Sequence, residues 1–196
     1  MDRITRFMLE ADKLKAIDRT GWVIRKVKKP EHVGDHSFST ALSSYIIARK
    51  LGLDANRCLI MALTHDLNEV NTGDIATRPT ERQQKVDNKT KLKLENKNMI
   101  KILSNLDKSS YDHLRHLWLE LQEGKTDEAQ LVNGLDRLDY ILQLVPYHRQ
   151  IKNDSQVYEF FITAKRHITN PELKYIYEKI RKQIRKERSK PTSKRA

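Results

Sequence analysis

The sequence predicts an all-α fold of about seven or eight helices, and three observations carry that prediction. Apolar residues recur at three- and four-residue spacing through most of the chain. Glycine and proline are scarce, six and five in 196 residues, and they fall between the periodic segments, where they act as punctuation. Alternating strand-like runs are few.

Taken in order, the first helix is expected from about Asp2 to Asp18, with Ile4, Phe7, Met8, Ala11 and Leu14 on one face. The connection RTGWVIRKVKKPEHVGD follows, and its Gly21, Pro30 and Gly34 argue against one continuous helix. Asp35 can cap a second helix carrying Phe38, Ala41, Leu42, Tyr45 and Ile46 and closed by Gly52. Asp54 can cap a third, which runs into HDLNEVNTGD and stops before Gly73. Thr80-x-x-Gln83 has capping-box spacing and opens a long polar helix towards Leu106. Ser110–Gln122 follows, with Leu114, Leu117, Trp118 and Leu121 inward and Gly124 past its end. The best-patterned segment is Asp127–Tyr147, where Leu131, Leu135, Leu138, Leu142 and Val145 form a sustained stripe. Ser155–Ile168 and Pro171–Arg188 complete the set, the latter with Asn170 as cap and Pro171 at its first position. We divide the chain into one domain, residues 1–180, and a basic C-terminal tail, 181–196.

Composition narrows the class. Charged residues make up 33% and hydrophobic residues 38%, the balance of a folded globular chain. The single cysteine, Cys58, excludes an intramolecular disulfide framework and any all-cysteine metal site; inside a helical pattern it reads as a small buried apolar residue. No apolar run approaches the roughly 20 residues that cross a bilayer, so no membrane partner is expected. The start is amphipathic and interleaves acidic with basic residues rather than forming a basic leader followed by a hydrophobic stretch, which makes a reducing, cytoplasmic location the expectation. Net charge is +12, and residues 181–196 hold eight Lys or Arg against one Glu. The excess is therefore concentrated at one end, as a solvated helix terminus or as an arm for RNA or DNA.

The chemistry concentrates in HDLNEVNTGD, His65–Asp74, placed directly after the apolar run LIMAL. Charge beside a hydrophobic run is costly unless it is paired or holds a cation. On a helix Asp66 and Glu69 are three apart and His65 and Glu69 four apart, so these side chains can converge. Asp74 lies beyond Gly73 and can fold back towards them. One helix rarely completes an open metal site. Partners are available upstream at His32 and His36 and downstream at Asp136 and Asp139, and periodicity alone does not choose among them.

The order EHVGDH, then HDLNEVNTGD, then GLDRLDY resembles the HD-domain metal-dependent phosphohydrolases. RTGWVIR ahead of the first histidine, the HD-x-x-E-x-x-x-x-D spacing and LWLELQEG before the last Asp resemble the 5′-deoxynucleotidase branch, across roughly Ile4–Tyr147. The resemblance implies one divalent metal ion held by His36, His65, Asp66 and Asp136. This mixed N/O set suits Mn, Co, Fe or Ni, with Zn admissible. It further implies Glu69 and Asp74 as catalytic acids, Glu69 orienting or deprotonating water and Asp74 managing protons on the phosphate side. Arg19, Trp22 and Arg25 are implied on the substrate side, the indole stacking on a nucleoside and a guanidinium forking a phosphate. Some nucleotidases of this branch carry Arg immediately before the Trp; here Gly21 stands there, which leaves the phosphate clamp open. The remaining histidines, His32, His113, His116, His148 and His167, read as exposed or structural, and Asp139 as a helix-flank charge pairing with Arg137 or a Lys.

The implied activity is hydrolysis of (deoxy)nucleoside 5′-monophosphates, a small-molecule substrate, by a homodimer whose interface draws on the apolar helices past Tyr147. Two alternatives stand beside it. One is another HD-type reaction, pyrophosphohydrolysis or phosphodiester cleavage; the other is a nucleic-acid-binding protein that uses the basic tail.

Overall fold

Residues 1–75 and 87–189 are described by the computed structural model. They form α1 (Arg3–Asp12), α2 (Thr20–Ile24), α3 (Val33–Leu51), α4 (Ala55–Thr64), α5 (Glu69–Thr72), α6 (Asn88–Leu103), α7 (Lys108–Glu123), α8 (Asp127–Tyr147), α9 (Asp154–Lys165) and α10 (Pro171–Arg188). Eight of these run ten residues or more, and α2 and α5 are short. Among the described residues the only extended pairing is an isolated bridge between Asp18 and His32. The predicted capping box at Thr80 lies outside the described residues.

Polar caps set most boundaries. Asp2, Asp54, Asp87, Asp107 and Thr126 each accept the backbone N–H three residues on, and Asn170 accepts that of Glu172 ahead of Pro171. Gly52 and Gly124 close α3 and α7 at φ of 72° and 63°, a left-handed conformation that glycine adopts without strain. The expected cap at Asp35 is corrected. α3 begins three residues earlier, with His32 in the cap position and Asp35 in the first turn, its Oδ2 accepting from the His32 N–H at 2.9 Å. The first helix is also shorter than expected. It ends at Asp12, continues as a 3₁₀ turn over Lys13–Ala16, and leaves Ile4 and Met8 outside.

α8 is the axis of the main core. Leu131, Leu135, Leu138, Ile141 and Leu144 are buried among residues of α3, α4, α7, α9 and α10. A second cluster joins Leu14, Val33 and Leu67 to Met99, Ile102 and Leu103 of α6 and Trp118 of α7. At Gly134 α10 comes so close that a Cβ would lie 2.8 Å from Leu173 Cδ1, so no larger side chain fits without displacement.

α3 turns the large apolar residues of its predicted stripe outward, and of that stripe only Ala41 is buried. Its inward residues are small or polar, Ser37, Thr40, Ala41, Ser44 and Ala48, and they let α4 pack against it closely. Phe38, Leu42 and Ile46 point outward, more than half exposed.

The basic terminus is built into the fold as far as Arg188. Ile184 is fully buried, and Arg188 donates to Asp154 Oδ1 at 2.6 Å, to the Ile151 carbonyl at 3.0 Å and to the His148 carbonyl. The boundary drawn at residue 181 therefore falls inside a packed helix.

Candidate metal centre and active site

The segment after α4 does not continue as one helix. The Thr64 hydroxyl bonds back to the Ile60 carbonyl at 2.8 Å, a bond that competes with the backbone ladder. The chain then turns through His65–Asn68, with three-residue bonds from Leu67 N to Thr64 O and from Glu69 N to Asp66 O, before α5 begins. The turn brings adjacent His65 and Asp66 to a common point, which a straight helix would separate by about 100°.

His36 of α3 is fully buried, and its Nε2 lies 3.2 Å from His65 Nε2, 3.2 Å from Asp136 Oδ1 of α8 and 3.8 Å from Asp66 Oδ2. His65 Nε2 is 3.1 Å from Asp66 Oδ2 and 4.0 Å from Asp136 Oδ1. Metal–ligand bonds of about 2.1 Å set cis donors about 3 Å apart and trans donors about 4 Å apart, so these separations suit one ion.

The donor chemistry gives an independent test. His36 Nδ1 faces Asp139 Oδ2 at 2.7 Å, and His65 Nδ1 faces the Ala62 carbonyl at 2.7 Å, so each ring's proton belongs on Nδ1. Two Nε2 lone pairs and two carboxylates then converge, an arrangement that only a cation or a captured proton relieves. The titration follows the same logic. Burial and Arg19 push His36 down, yet hydrogen bonds to Asp136 and Asp139 outweigh them and raise it to about 9. Burial pushes Asp66 up, but positive charge at His65, Arg19 and His36 holds it well below the usual carboxylate range. The residues fit a divalent ion.

Of the two carboxylates on α8, Asp136 faces the donor cluster and Asp139 stands behind it. The expectation that Asp139 is a flank charge paired with Arg137 is corrected. It is buried, accepts from Ser39 Oγ at 2.6 Å and orients His36. Carboxylates in this position fix a ligating imidazole's tautomer and raise its basicity.

A cavity of about 270 Å³ opens beside the donors and is lined by α5, α6, α7 and α8 together with Arg19 and Asp74. Glu69 lies in it, buried, and one of its oxygens has no hydrogen-bond partner among the described residues. Burial, with Asp66 and Asp74 nearby, raises its pKa well above the ordinary value. Asp74 is in the same cavity, but its Oδ2 accepts from Thr20 N at 2.8 Å and stands 3.8 Å from Arg19 Nε. It ties the start of α2 to the pocket wall.

The three substrate-side expectations divide. Arg19 is in the pocket, almost fully buried, with Nη1 3.1 Å from Asp66 Oδ2 and Nη2 donating to the Tyr140 hydroxyl. Trp22 is corrected to a core residue. It is 0% exposed, stacked on Phe160 at 4.5 Å and edge-on to Tyr147, and its Nε1 donates to Glu31 Oε1 at 2.7 Å. No face remains for a nucleobase. Arg25 is corrected too. It lies over the Phe160 ring, pairs with Glu159 at 2.7 Å and donates to the Gln156 and Gly21 carbonyls, away from the donor cluster.

Sequence reasoning passed over Tyr140, which stacks on His36 at 5.6 Å, and the lining residues Lys91, Glu95, Asn133 and Arg137. A signal was present for two of them. Once Asp136 is taken as a ligand, Asn133 and Tyr140 lie three before and four after it, on the same helical face.

Comparison with known proteins matches this arrangement to named relatives. The HD domain model covers residues 11–181. The 5′-deoxynucleotidase HDDC2 of Danio rerio is 33% identical over 173 residues, spanning 88% of this chain and 84% of the relative. The Homo sapiens protein of that name is 29% identical over 170 residues, spanning 87% and 80%. Among solved structures, the PH0347 protein of Pyrococcus horikoshii is 32% identical with a TM-score of 0.70, covering 92% of this chain and 97% of that one. A conserved hypothetical protein from Pyrococcus furiosus is 29% identical with a TM-score of 0.72, covering 91% and 99%. With a family match that begins in α1, ends in α10 and takes in every helix of the donor cluster, this chain belongs to the HD domain family.

Proposed function

We propose that the protein is a metal-dependent phosphomonoesterase that hydrolyses (deoxy)nucleoside 5′-monophosphates to nucleoside and phosphate. The observation that carries this reading is the approach of His65, Asp66 and Asp136 to His36 beside a cavity holding Glu69, one of whose oxygens has no hydrogen-bond partner among the described residues. The names of the Danio and human relatives support the substrate class. In this reading those four residues hold the ion, which belongs to the Mn, Co, Fe, Ni or Zn group.

A divalent ion held by these residues would supply Lewis acidity to a phosphoryl oxygen and to the attacking water near neutral pH. Glu69, its proton affinity raised by burial, takes the water's proton and returns it to the departing 5′-oxygen. Tyr140 and Asp74 hold Arg19 against Asp66, so that Asp66 presents its oxygen in a fixed direction. Asp74 contributes by positioning rather than by carrying a proton.

Release of inorganic phosphate by the purified protein, over a panel of these metals and of ribo- and deoxynucleoside 5′-monophosphates, tests the reading. Products settle the reaction type. Orthophosphate plus nucleoside supports a monoesterase, whereas pyrophosphate or a cleaved diester points to a different HD-type reaction.

The outward stripe Phe38, Leu42 and Ile46 supports pairing of two copies through α3. This differs from an interface on the helices past Tyr147, whose large residues Phe160, Phe161, Ile180 and Ile184 are spent on the core. Sedimentation of wild type and Phe38→Glu distinguishes a dimer on this face from a monomer or a dimer formed elsewhere. No helix among the described residues is long and apolar enough to cross a membrane.

A further inference from the structure

We propose that Arg137 is the phosphate-binding residue, receiving the non-bridging oxygens of the phosphoryl group from the α8 wall of the pocket. This rests on the phosphomonoesterase reading and supplies the clamp that the segment Arg19–Arg25 does not provide.

Three cations line the cavity, Arg19, Lys91 and Arg137. Arg19 is 2% exposed, and its guanidinium faces Asp66, Asp74 and Tyr140. An incoming phosphate would have to displace those carboxylates to reach it. Lys91 donates to the Ile75 carbonyl at 3.0 Å and lies 3.6 Å from Glu95. Arg137 is placed differently. Its side chain is 23% exposed, and its Nε lies 3.4 Å from Asp136 Oδ2. Among the described residues its two Nη groups make no hydrogen bond and no other ion pair.

The pairing with Asp136 gives this guanidinium its function. Asp136 turns one oxygen towards His36 and the other towards Arg137, so the metal-side carboxylate also orients the cation. The Tyr140 ring, 5.9 Å away, limits how far the guanidinium can swing. With Nε turned to Asp136, the Nη1/Nη2 edge of this planar guanidinium is the one left to meet two phosphate oxygens bidentately, which a lysine ammonium does not do. A phosphate seated between the donor cluster and Arg137 would meet positive charge from two sides, offsetting the acidic lining of Asp66, Glu69, Asp74, Glu95 and Asp136.

The test uses the full-length, metal-loaded protein and inorganic phosphate as the probe, with binding followed by calorimetry. Arg137→Gln is expected to weaken phosphate binding by about 10- to 100-fold, the worth of charge-assisted hydrogen bonds. Metal affinity and melting temperature should stay near wild type, and Arg137→Lys should recover only part of the loss. With substrate, the same variants should raise KM more than they lower kcat. The assignment is overturned by unchanged phosphate binding in Arg137→Gln, by full recovery in Arg137→Lys, or by a wild type that binds no phosphate. It is overturned equally if metal affinity falls as far as phosphate affinity, since Arg137 would then only neutralise Asp136. A wild type that binds phosphate through Arg137 but releases none from any nucleotide would defeat the proposed reaction while leaving this assignment standing.

Discussion

The donor cluster and the Arg19–Arg25 segment are both rich in polar side chains, yet they use them in opposite ways. In the cluster, functional atoms are turned inward to one point and braced from behind. Asp139 holds His36, the Ala62 carbonyl holds His65, and Arg19 holds Asp66. In the segment, Trp22 and Arg25 are turned away from that point and spend their polar atoms on Glu31 and Glu159. The difference teaches that a motif's residue types do not reveal its task. What decides it is whether each polar atom already has a partner.

Substitutions can break or sharpen that contrast. Replacing both His65 and Asp66 with Ala should abolish phosphate release and metal uptake together, as followed by phosphate assay and metal titration. Full activity in that variant would remove the cluster from the reaction. Glu69→Gln comes next: kcat should fall by about 10²- to 10⁴-fold, the usual weight of general acid–base catalysis, while metal affinity holds. Trp22→Ala should destabilise the fold by about 3–5 kcal/mol in urea unfolding, as for other large buried aromatics, with KM unchanged in the folded fraction. A selective rise in KM there would return Trp22 to the substrate side. Asp139→Asn should weaken metal affinity by about 10- to 100-fold without any contact to the ion. Arg25→Ala should touch stability alone, with a loss of about 1.5–3 kcal/mol and kcat/KM preserved.

Much of the scaffold was legible because its signals are local. Asn170-Pro171 and the stripe from Asp127 to Tyr147 mark their helices by capping and period alone. Motif order singles out His36, His65, Asp66 and Asp136, and in the structure atoms of the last three lie 3.2–3.8 Å from His36 Nε2. Three things depended on tertiary context. The break at Thr64, where the hydroxyl bonds back to the Ile60 carbonyl, is concealed by the helix-periodic sequence. α3 was read backwards because its large apolar residues outweigh its small inward ones, although close packing against α4 selects the small ones. Asp136 and Asp139 differ only in which side of His36 they meet, a matter of how α8 is rotated against α3.

The anchor at Arg188 bears on how the protein can be handled. Its guanidinium closes the turn between α8 and α9 by serving the His148 and Ile151 carbonyls. A fusion joined after Ser189 leaves that closure whole. A chain cut at residue 180 removes the donor, and the amides of residues 149–153 should then exchange with deuterium faster than in the full chain. The last helical turn is thus a latch for a segment about forty residues upstream.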